Sequence, residues 1–240
     1  MLNFLVAGLM KVLVLTGAGI SAESGIPTFR GDDGLWEGQR IEDVATPQGF
    51  ARNPSLVHEF YNLRRRALLG SSIQPNAAHV ALADFERQHD GEFLLVTQNI
   101  DDLHQRAGSR QVLPMHGELL KARCTLTEEI IPWREDLSTS TVHPAEPDLV
   151  GTLRPHVVWF GEMPIGLEQI AQFASDCDLF LAIGTSAVVY PAAGIVESTP
   201  SKCRRVEINL DATPQSSRFQ TTIRGKASVE VPKFLRSLSD

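Results

Sequence analysis

Cysteine is scarce in this chain of 240 residues, and the three that occur, Cys124, Cys177 and Cys203, lie far apart. A disulfide framework needs an even set of closely spaced cysteines, so this pattern excludes one and fits a reducing cytosol. No apolar run reaches the roughly 18 residues that a transmembrane helix needs. The apolar start, MLNFLVAGLM, lacks the basic region of a secretory signal. We expect a soluble, cytoplasmic protein.

Basic residues are also few, with 22 Lys and Arg against 29 Asp and Glu and a net charge of −7. The densest basic cluster, residues 64–66, is too short for a nucleic-acid-binding surface, so we expect no nucleic-acid or membrane partner. We interpret Arg65 and Arg66 as the solvated face of a helix. The length suits one large α/β domain with a small inserted module, and no oligomer is expected.

Apolar runs that resemble buried strands alternate with helical segments. The predicted strands are Val12–Leu15, Phe93–Thr97, Val112–Met115, Leu179–Ile183, Val206–Leu210 and Val229–Val231. The predicted helices include Pro54–Leu69, Ala77–Gln88, Asp101–Ala107 and Leu167–Ala174. This alternation is typical of an α/β, Rossmann-like, doubly wound parallel sheet. Residues 31–75 and irregular residues 118–153 interrupt it, and we expect them to form a small module beside a large part of residues 1–30, 76–117 and 154–240.

A glycine-rich turn follows the first predicted strand. Gly17, Gly19 and Gly25 lie in the string GAGISAESGIPTFRG. Glycines after a parallel strand let the backbone approach a pyrophosphate closely. The spacing is not G-x-G-x-x-G, and no acidic residue ends a second strand about 20 residues later, which disfavours a dehydrogenase. A tight turn without a ligand is the structural alternative.

Polar clusters follow further strands, at Gln98–Asp101, His116, Gly184–Ser186 and Asn209–Asp211. The carboxyl ends of parallel strands meet at one edge of a sheet, so we expect these clusters and the glycine turn to line one nucleotide crevice. Simpler interpretations exist for each. Asp101 suits a helix cap, and a lone histidine is more often packed than catalytic.

In chain order, the strings GAGISAESGIPTFRG with GLW, TQNID, MHGEL and LRPHVVWFGE resemble the signature of the sirtuins, which are NAD-consuming protein deacylases. The resemblance covers about residues 11–235 and implies NAD as co-substrate and acyl-lysine proteins as partners. The positions that it assigns to NAD are Gly17, Ala18, Gly19, Ile20, Phe29, Arg30, Trp36, Gln98, Asn99, Ile100, Asp101, Gly184, Thr185, Ser186, Asn209, Leu210, Asp211 and Ala227.

The same resemblance implies two catalytic residues, His116 and Asn99. His116 is the implied general base for a ribose hydroxyl, and the ordinary pKa of histidine suits that role near neutrality. Val158, Trp159 and Phe160 are the implied contacts of the substrate peptide, which would pair with them as an added strand. The implied products are nicotinamide, O-acyl-ADP-ribose and free lysine.

Tyr61 and Arg64, in the string FYNLRRR, resemble the Tyr-x-x-Arg pair of sirtuins that remove succinyl and malonyl groups. Their spacing places both on the inward face of the predicted helix Pro54–Leu69, with Asn53 as its N-cap. A guanidinium group binds a carboxylate in bidentate fashion, and a tyrosine hydroxyl adds a hydrogen bond. We expect succinyl-lysine to be accepted as well as acetyl-lysine. An arginine that extends to solvent is the alternative.

The zinc cysteines of that family are missing. Cys124 stands where the first of two C-x-x-C pairs begins, but Thr127 takes the second position, and no other pair occurs between residues 128 and 153. One thiolate cannot make a tetrahedral structural zinc site. We therefore predict no zinc and expect apolar packing to hold the small module, through Leu126, Ile130, Ile131, Trp133, Leu137 and Leu149.

Two other functions stay open. A mono-ADP-ribosyltransferase or NAD glycohydrolase also releases nicotinamide, and a non-catalytic NAD-binding module would need only part of the crevice. His116 favours the deacylase, because transfer of an acyl group to ribose needs a base. The retained Asn99, Asp101 and residues 157–161 argue against a module that only binds.

Overall fold

The computed structural model describes residues 10–28, 35–36, 38–186 and 191–238. Phe29 and Arg30, which were assigned to the cofactor, lie outside the described residues. The strands are β1 (Val12–Thr16), β2 (Leu35–Trp36), β3 (Gln39–Arg40), β4 (Phe93–Thr97), β5 (Val112–Pro114), β6 (Gly117–Cys124), β7 (Ile130–Pro132), β8 (Leu153–Val157), β9 (Leu179–Ile183), β10 (Arg204–Asn209) and β11 (Thr221–Arg224). The helices are α1 (Ala18–Ser21), α2 (Ile41–Val44), α3 (Pro47–Arg52), α4 (Pro54–Leu68), α5 (Ala77–Gln88), α6 (Leu103–Ala107), α7 (Leu167–Ala174) and α8 (Ala227–Arg236), with short 3₁₀ helices at Ala22–Ser24, Ala192–Ser198 and Ser216–Arg218.

A six-stranded parallel sheet in the order β11-β10-β9-β1-β4-β5 forms the centre of the molecule. Alternate residues of β1 point to opposite faces, where α5 and α8 cover one apolar cluster and α7 covers the other. The predicted doubly wound α/β fold is therefore confirmed. The direction of strand order reverses at β1, and a crevice is expected at the carboxyl ends of β1 and β9. Within the described ranges, no helix is both long and apolar enough to cross a bilayer.

The predicted strand Val229–Val231 is wrong. These residues lie in α8, where the buried residues Ala227, Val231, Phe234 and Leu235 recur at helical spacing. A short apolar run does not separate a strand from a helix unless its wider period is counted. The last strand of the sheet is β11, which the sequence analysis missed because it is an edge strand with alternately half-buried and exposed residues.

Part of the segment predicted to be irregular, 118–153, forms an antiparallel sheet in the order β7-β6-β8. Residues 133–152 between β7 and β8 contain no helix or strand, as predicted. Leu126 and Ile130 were expected in its core but are 68% and 47% exposed, because they lie in and next to the turn that joins β6 to β7. The division of the chain into a large part and a small module stays a prediction. The core of this small sheet consists of Ala122, Cys124, Leu137 and Leu153, with Ile131, Trp133 and Leu149 packed against it.

Arg65 is fully buried, so its prediction as a solvated residue is wrong. Its Nε donates to Leu119 O at 3.1 Å, and its Nη1 donates to Asn62 Oδ1 at 2.9 Å. Burial lowers the pKa of Arg65 to about 10, so the guanidinium stays charged at neutral pH. Consecutive helical residues point about 100° apart, and a run of three arginines therefore cannot share one solvated face.

The three cysteines are free and buried, and they lie at two separate places in the structure. Cys124 is buried in the small sheet with its sulfur 3.6 Å from Thr152 Oγ1. Cys177 and Cys203 lie together just before β9 and β10, with their sulfur atoms 3.5 Å apart. Three cysteines at two places cannot supply the four thiolates of a Cys₄ structural site.

Among the described residues, three side chains that can bind a metal lie together, with ligand atoms of Glu129, His143 and Glu146 within 4.8 Å of one another. His143 Nδ1 accepts the N–H of Ala145 at 3.3 Å, so the neutral ring carries its proton on Nε2. That nitrogen lies 3.5 Å from Glu129 Oε2. Nε2 makes no hydrogen bond among the described residues, and a metal at this nitrogen would displace its proton.

Asn62 couples α4 to the segment after β7. Its Nδ2 donates to Leu137 O at 2.8 Å, and its Oδ1 accepts the N–H of Leu137 at 2.9 Å. Asn62→Ala leaves these buried groups without partners, so we expect the free energy of unfolding to fall by about 2–4 kcal/mol in urea denaturation. Asn53→Ala removes only the exposed cap of α4, where Asn53 Oδ1 accepts the N–H of Leu56, and should cost about 1 kcal/mol. Equal losses in the two variants would contradict the coupling.

We expect the protein to keep its melting temperature and activity after dialysis against EDTA, because the small sheet packs around an apolar core. Elemental analysis of the purified protein should find far less than one zinc per chain. A stoichiometric zinc content, or a melting temperature that falls with chelator and recovers with added Zn²⁺, would contradict this prediction.

Candidate functional site

The turns after β1 and β9 meet backbone to backbone. The N–H of Gly19 donates to Gly184 O at 2.8 Å, and the N–H of Gly17 donates to Ile183 O at 3.0 Å. A Cβ on Gly19 would lie 2.7 Å from the Cα of Gly184, which itself has a φ of +60°. Glycine is therefore required here by the contact between the two turns, whether or not a ligand binds.

A large cleft of about 1430 Å³ runs along this edge of the sheet. Ile20, also predicted to contact NAD, is instead fully buried in the core beneath the turn. The candidate catalytic and substrate residues His116, Tyr61, Arg64, Val158, Trp159 and Phe160 line the same cleft. The predicted cofactor positions that line it are Gly17, Ala18, Gly19, Trp36, Gln98, Asn99, Ile100, Asp101, Gly184, Thr185, Ser186, Asn209, Leu210, Asp211 and Ala227.

His116 lies between β5 and β6 and is half-buried. Its Nδ1 is 2.9 Å from Gln98 O. A carbonyl oxygen only accepts, so Nδ1 carries the hydrogen and the neutral ring has its lone pair on Nε2. Burial lowers the pKa of His116, although the bond to Gln98 opposes this shift. The ring is therefore a neutral base at pH 7.

The backbone around His116 is fixed on both sides. The N–H of Val158 donates to His116 O at 2.9 Å. Gly117 has a φ of +83°, and a Cβ there would lie 2.2 Å from His156 O. A side chain at residue 117 would therefore collide with the backbone of β8.

The side chains of Asn99 and Asp101 meet through Ser21. Asn99 Nδ2 donates to Gly17 O at 3.2 Å and to Ser21 Oγ at 3.1 Å, and the Ser21 hydroxyl donates to Asp101 Oδ2 at 2.9 Å. Asp101 Oδ1 also accepts the N–H of Leu103, so this residue caps α6 as well as lining the cleft. Burial raises the pKa of Asp101 to about 6 in spite of these hydrogen bonds.

Two histidines beneath this network were missed by the sequence analysis. His79 Nε2 lies 3.5 Å from Ser21 Oγ, and His104 Nε2 lies 3.0 Å from Thr16 Oγ1. Burial lowers the pKa of His79 to about 4 and that of His104 well below its ordinary value, so both rings are neutral. The available signal was their inward position on α5 and α6, since a buried imidazole requires a polar partner.

The ends of β4, β9 and β10 are joined through Thr185. Gln98 Nε2 donates to Thr185 Oγ1 at 2.9 Å, and Asn209 Nδ2 donates to Thr185 O at 2.7 Å. Polar groups at the ends of three strands that the sequence analysis assigned to NAD therefore form one connected edge of the cleft.

Tyr61 and Arg64 lie next to each other at the α4 side of the cleft. Tyr61 is fully buried, and its hydroxyl accepts the indole N–H of Trp159 at 3.0 Å. Burial raises the pKa of this hydroxyl, which is therefore neutral. The guanidinium of half-buried Arg64 lies 3.2 Å from the ring centre of Phe60 and 5.1 Å from that of Trp36.

The segment after β8 has its backbone donors engaged within the chain. The N–H groups of Val158, Trp159 and Phe160 donate to His116 O, Glu162 Oε2 and Ala45 O, at 2.9, 2.8 and 2.9 Å. A peptide that pairs along this segment would meet its carbonyl groups. The side chain of Phe160 is 46% exposed, whereas that of Trp159 is buried.

Comparisons with known proteins agree with this geometry. The model of the Sir2 family matches residues 17–191. The chain is 69% identical over 237 residues to an "NAD-dependent protein deacylase" of Rhodopirellula baltica, covering 96% of this chain and 99% of that protein. It is 55% identical over 227 residues to a protein of the same name from Salmonella typhimurium, covering 94% and 82% of the two chains.

Solved structures give the same result. A Sir2 homologue in complex with NAD superimposes with a TM-score of 0.85 at 39% identity, over 97% of this chain and 91% of that one. A Sir2 protein bound to a propionylated peptide gives a TM-score of 0.78 at 30% identity, over 94% and 92% of the two chains. The chain belongs to the Sir2 family.

Proposed function

We propose that this protein is an NAD-dependent protein-lysine deacylase that removes both acetyl and succinyl groups. The observation that carries the proposal is the position of His116. His116, whose neutral ring has its lone pair on Nε2, lines the same cleft as the candidate NAD residues and Val158–Phe160. The names of the Rhodopirellula and Salmonella relatives support the reaction class.

The cleft suits NAD in size and in chemistry. It exceeds the roughly 300–1,000 Å³ of ordinary ligand pockets, as a dinucleotide beside a peptide requires. Asn99 uses its amide hydrogens on Gly17 and Ser21, and among the described residues no donor reaches its Oδ1. Asn99 and Asp101 would orient the nicotinamide ribose and carboxamide, while Thr185 and Asn209 would hold the adenosine half. NAD supplies the ribose that accepts the acyl group and releases nicotinamide.

His116 would move one proton in this reaction. Its Nδ1–H stays on Gln98 O, so Nε2 is the atom that accepts the proton of a ribose hydroxyl. The backbone carbonyl of His116 accepts the N–H of Val158, which fixes the position of the base relative to the segment that would contact the substrate. A base fixed in this way favours the deacylase over a glycohydrolase or ADP-ribosyltransferase, whose shared first step, loss of nicotinamide, does not need it.

Arg64 and Tyr61 would bind the distal carboxylate of succinyl-lysine. The guanidinium of Arg64 lies beside the aromatic rings of Phe60 and Trp36, with its Nη1 donating to Phe60 O at 2.7 Å, and Tyr61 has a neutral hydroxyl. A charge-assisted hydrogen bond in a partly buried site is stronger than one between neutral groups. Acetyl-lysine carries no carboxylate, so its turnover should depend much less on Arg64.

The pH profile tests the role of His116. We expect kcat/KM to be level around pH 7–8 and to fall as the pH drops below about 6.5, because burial holds the pKa of the base below that ordinary value. Protonation of Asp101, with its pKa of about 6, falls in the same range and steepens the decline.

The substitution His116→Ala is a second test. It should lower the deacylation rate by a factor of about 10²–10⁴, measured by mass spectrometry of the peptide. An acid limb centred above pH 7, or a His116→Ala variant with wild-type rate, would refute the assignment.

The acyl preference is tested with Arg64→Met. We expect kcat/KM for a succinyl-lysine peptide to fall about 10–100-fold, the equivalent of hydrogen bonds to a charged group, and to fall far more than for the matched acetyl peptide. Arg66→Met is the matched control, because Arg66 lies on the same helix but is exposed and pairs with Glu59 and Asp136. Equal effects of Arg64→Met on both peptides would reject the carboxylate site.

A further inference from the structure

We propose that Trp159 determines acyl specificity as a positioning residue, because its indole N–H fixes the hydroxyl of Tyr61 as a hydrogen-bond donor toward the acyl group. This inference rests on the proposed removal of succinyl groups. It assigns to Trp159 a role beyond the peptide contact expected from the sequence.

The direction of the Trp159–Tyr61 hydrogen bond carries the argument. An indole N–H can only donate, so the phenol oxygen of Tyr61 must be the acceptor at 3.0 Å. The phenol hydrogen must then point elsewhere, and none of the hydrogen bonds among the described residues gives it an acceptor. Tyr61 borders the cleft one helical turn from Arg64 and is fully buried in the structure without a ligand. A ligand oxygen there would receive that hydrogen.

Trp159 is held firmly enough to impose this direction. The guanidinium of Arg154 lies 3.4 Å from the centre of its indole ring, and Phe50 packs at 5.3 Å on the ring as well. Glu162 accepts two hydrogen bonds from Arg154, at 2.7 and 2.9 Å, and one from the backbone N–H of Trp159 at 2.8 Å. Arg154 and Glu162 therefore form a clamp on Trp159, with the arginine side chain only 6% exposed.

The fixed donor selects for the chemistry of the acyl group. A carboxylate only accepts hydrogen bonds, so it satisfies the phenol hydrogen and the donors of Arg64 together. The methyl of an acetyl group satisfies neither. Without the indole N–H, the phenol of Tyr61 is free to rotate or to accept, and the site loses part of its preference for an anion.

The test is a double-mutant cycle on the selectivity ratio, defined as kcat/KM for a succinyl-lysine peptide divided by that for the same peptide with acetyl-lysine, at saturating NAD. Trp159→Phe keeps an aromatic side chain but removes the indole N–H, and Tyr61→Phe removes the hydroxyl. We expect Tyr61→Phe to lower the ratio about 10-fold and Trp159→Phe about 3- to 10-fold, mainly through the KM of the succinyl peptide. The double variant should match Tyr61→Phe, because the indole acts through the hydroxyl.

Trp133→Phe is the matched control. The same atoms are removed from a tryptophan that packs on the core of the small sheet, outside the residues that line the cleft. Its ratio should equal that of wild type. Any general effect of a tryptophan-to-phenylalanine change would appear in this variant, and melting temperatures identify loss of folding.

Multiplicative losses in the double variant, or a wild-type ratio in Trp159→Phe, would overturn the inference. If Trp159→Phe does not fold, Glu162→Gln is used instead, because it weakens the clamp on Trp159. Glu162→Gln should lower the selectivity ratio of the wild-type enzyme. It should not lower the ratio of Tyr61→Phe any further. The failure of the proposed function looks different. A wild-type enzyme without desuccinylation, or one in which Arg64→Met leaves the ratio unchanged, rejects the carboxylate site itself.

Discussion

The contact between the turns after β1 and β9 is the constraint on which the cleft depends. Strand order reverses at β1, so the loops on its two sides diverge unless something holds them together. Gly19 and Gly184 do so through their backbones, at a distance that excludes a side chain on either residue. The positions of Gln98, Thr185 and Asn209 follow from this contact, since their hydrogen bonds cross the gap between the strands that it brings together.

The polar groups beneath the cleft carry little buried charge. His79 and His104 are neutral. Ser21 lies between His79 and the acid Asp101, whereas His104 contacts Thr16 and has no partner for its Nδ1 among the described residues. An isolated buried ion is costly, whereas neutral donors and acceptors that pair with one another are not. Asn99 is held by two of these bonds, and a side chain so restrained is ready to orient a ligand without first losing its own rotational freedom.

The elements that the sequence predicted best are those whose pattern is local. β4, β9, α5 and α7 have the predicted bounds, because continuous apolar runs or a clear helical period define them. The strand predicted at Val229–Val231 failed on a local period, but two other features that the sequence did not reveal have tertiary causes. The burial of Arg65 depends on a carbonyl of β6, and the bond from Trp159 to Tyr61 joins residues 98 positions apart. No spacing rule in a single sequence encodes such partners, although an arginine on an inward helical face signals that one exists.

His116 is bonded on two sides, and this has a consequence for the order in which ligands act. Its ring is tied to the strand end that carries Gln98 and Asn99, and its carbonyl is tied to the segment that carries Trp159. If the dinucleotide or the peptide displaces His116 on binding, the residues that contact the other ligand are therefore displaced as well. Thermodynamic linkage makes such an influence mutual. If a bound peptide raises the affinity for the dinucleotide, the bound dinucleotide raises the affinity for the peptide by the same factor.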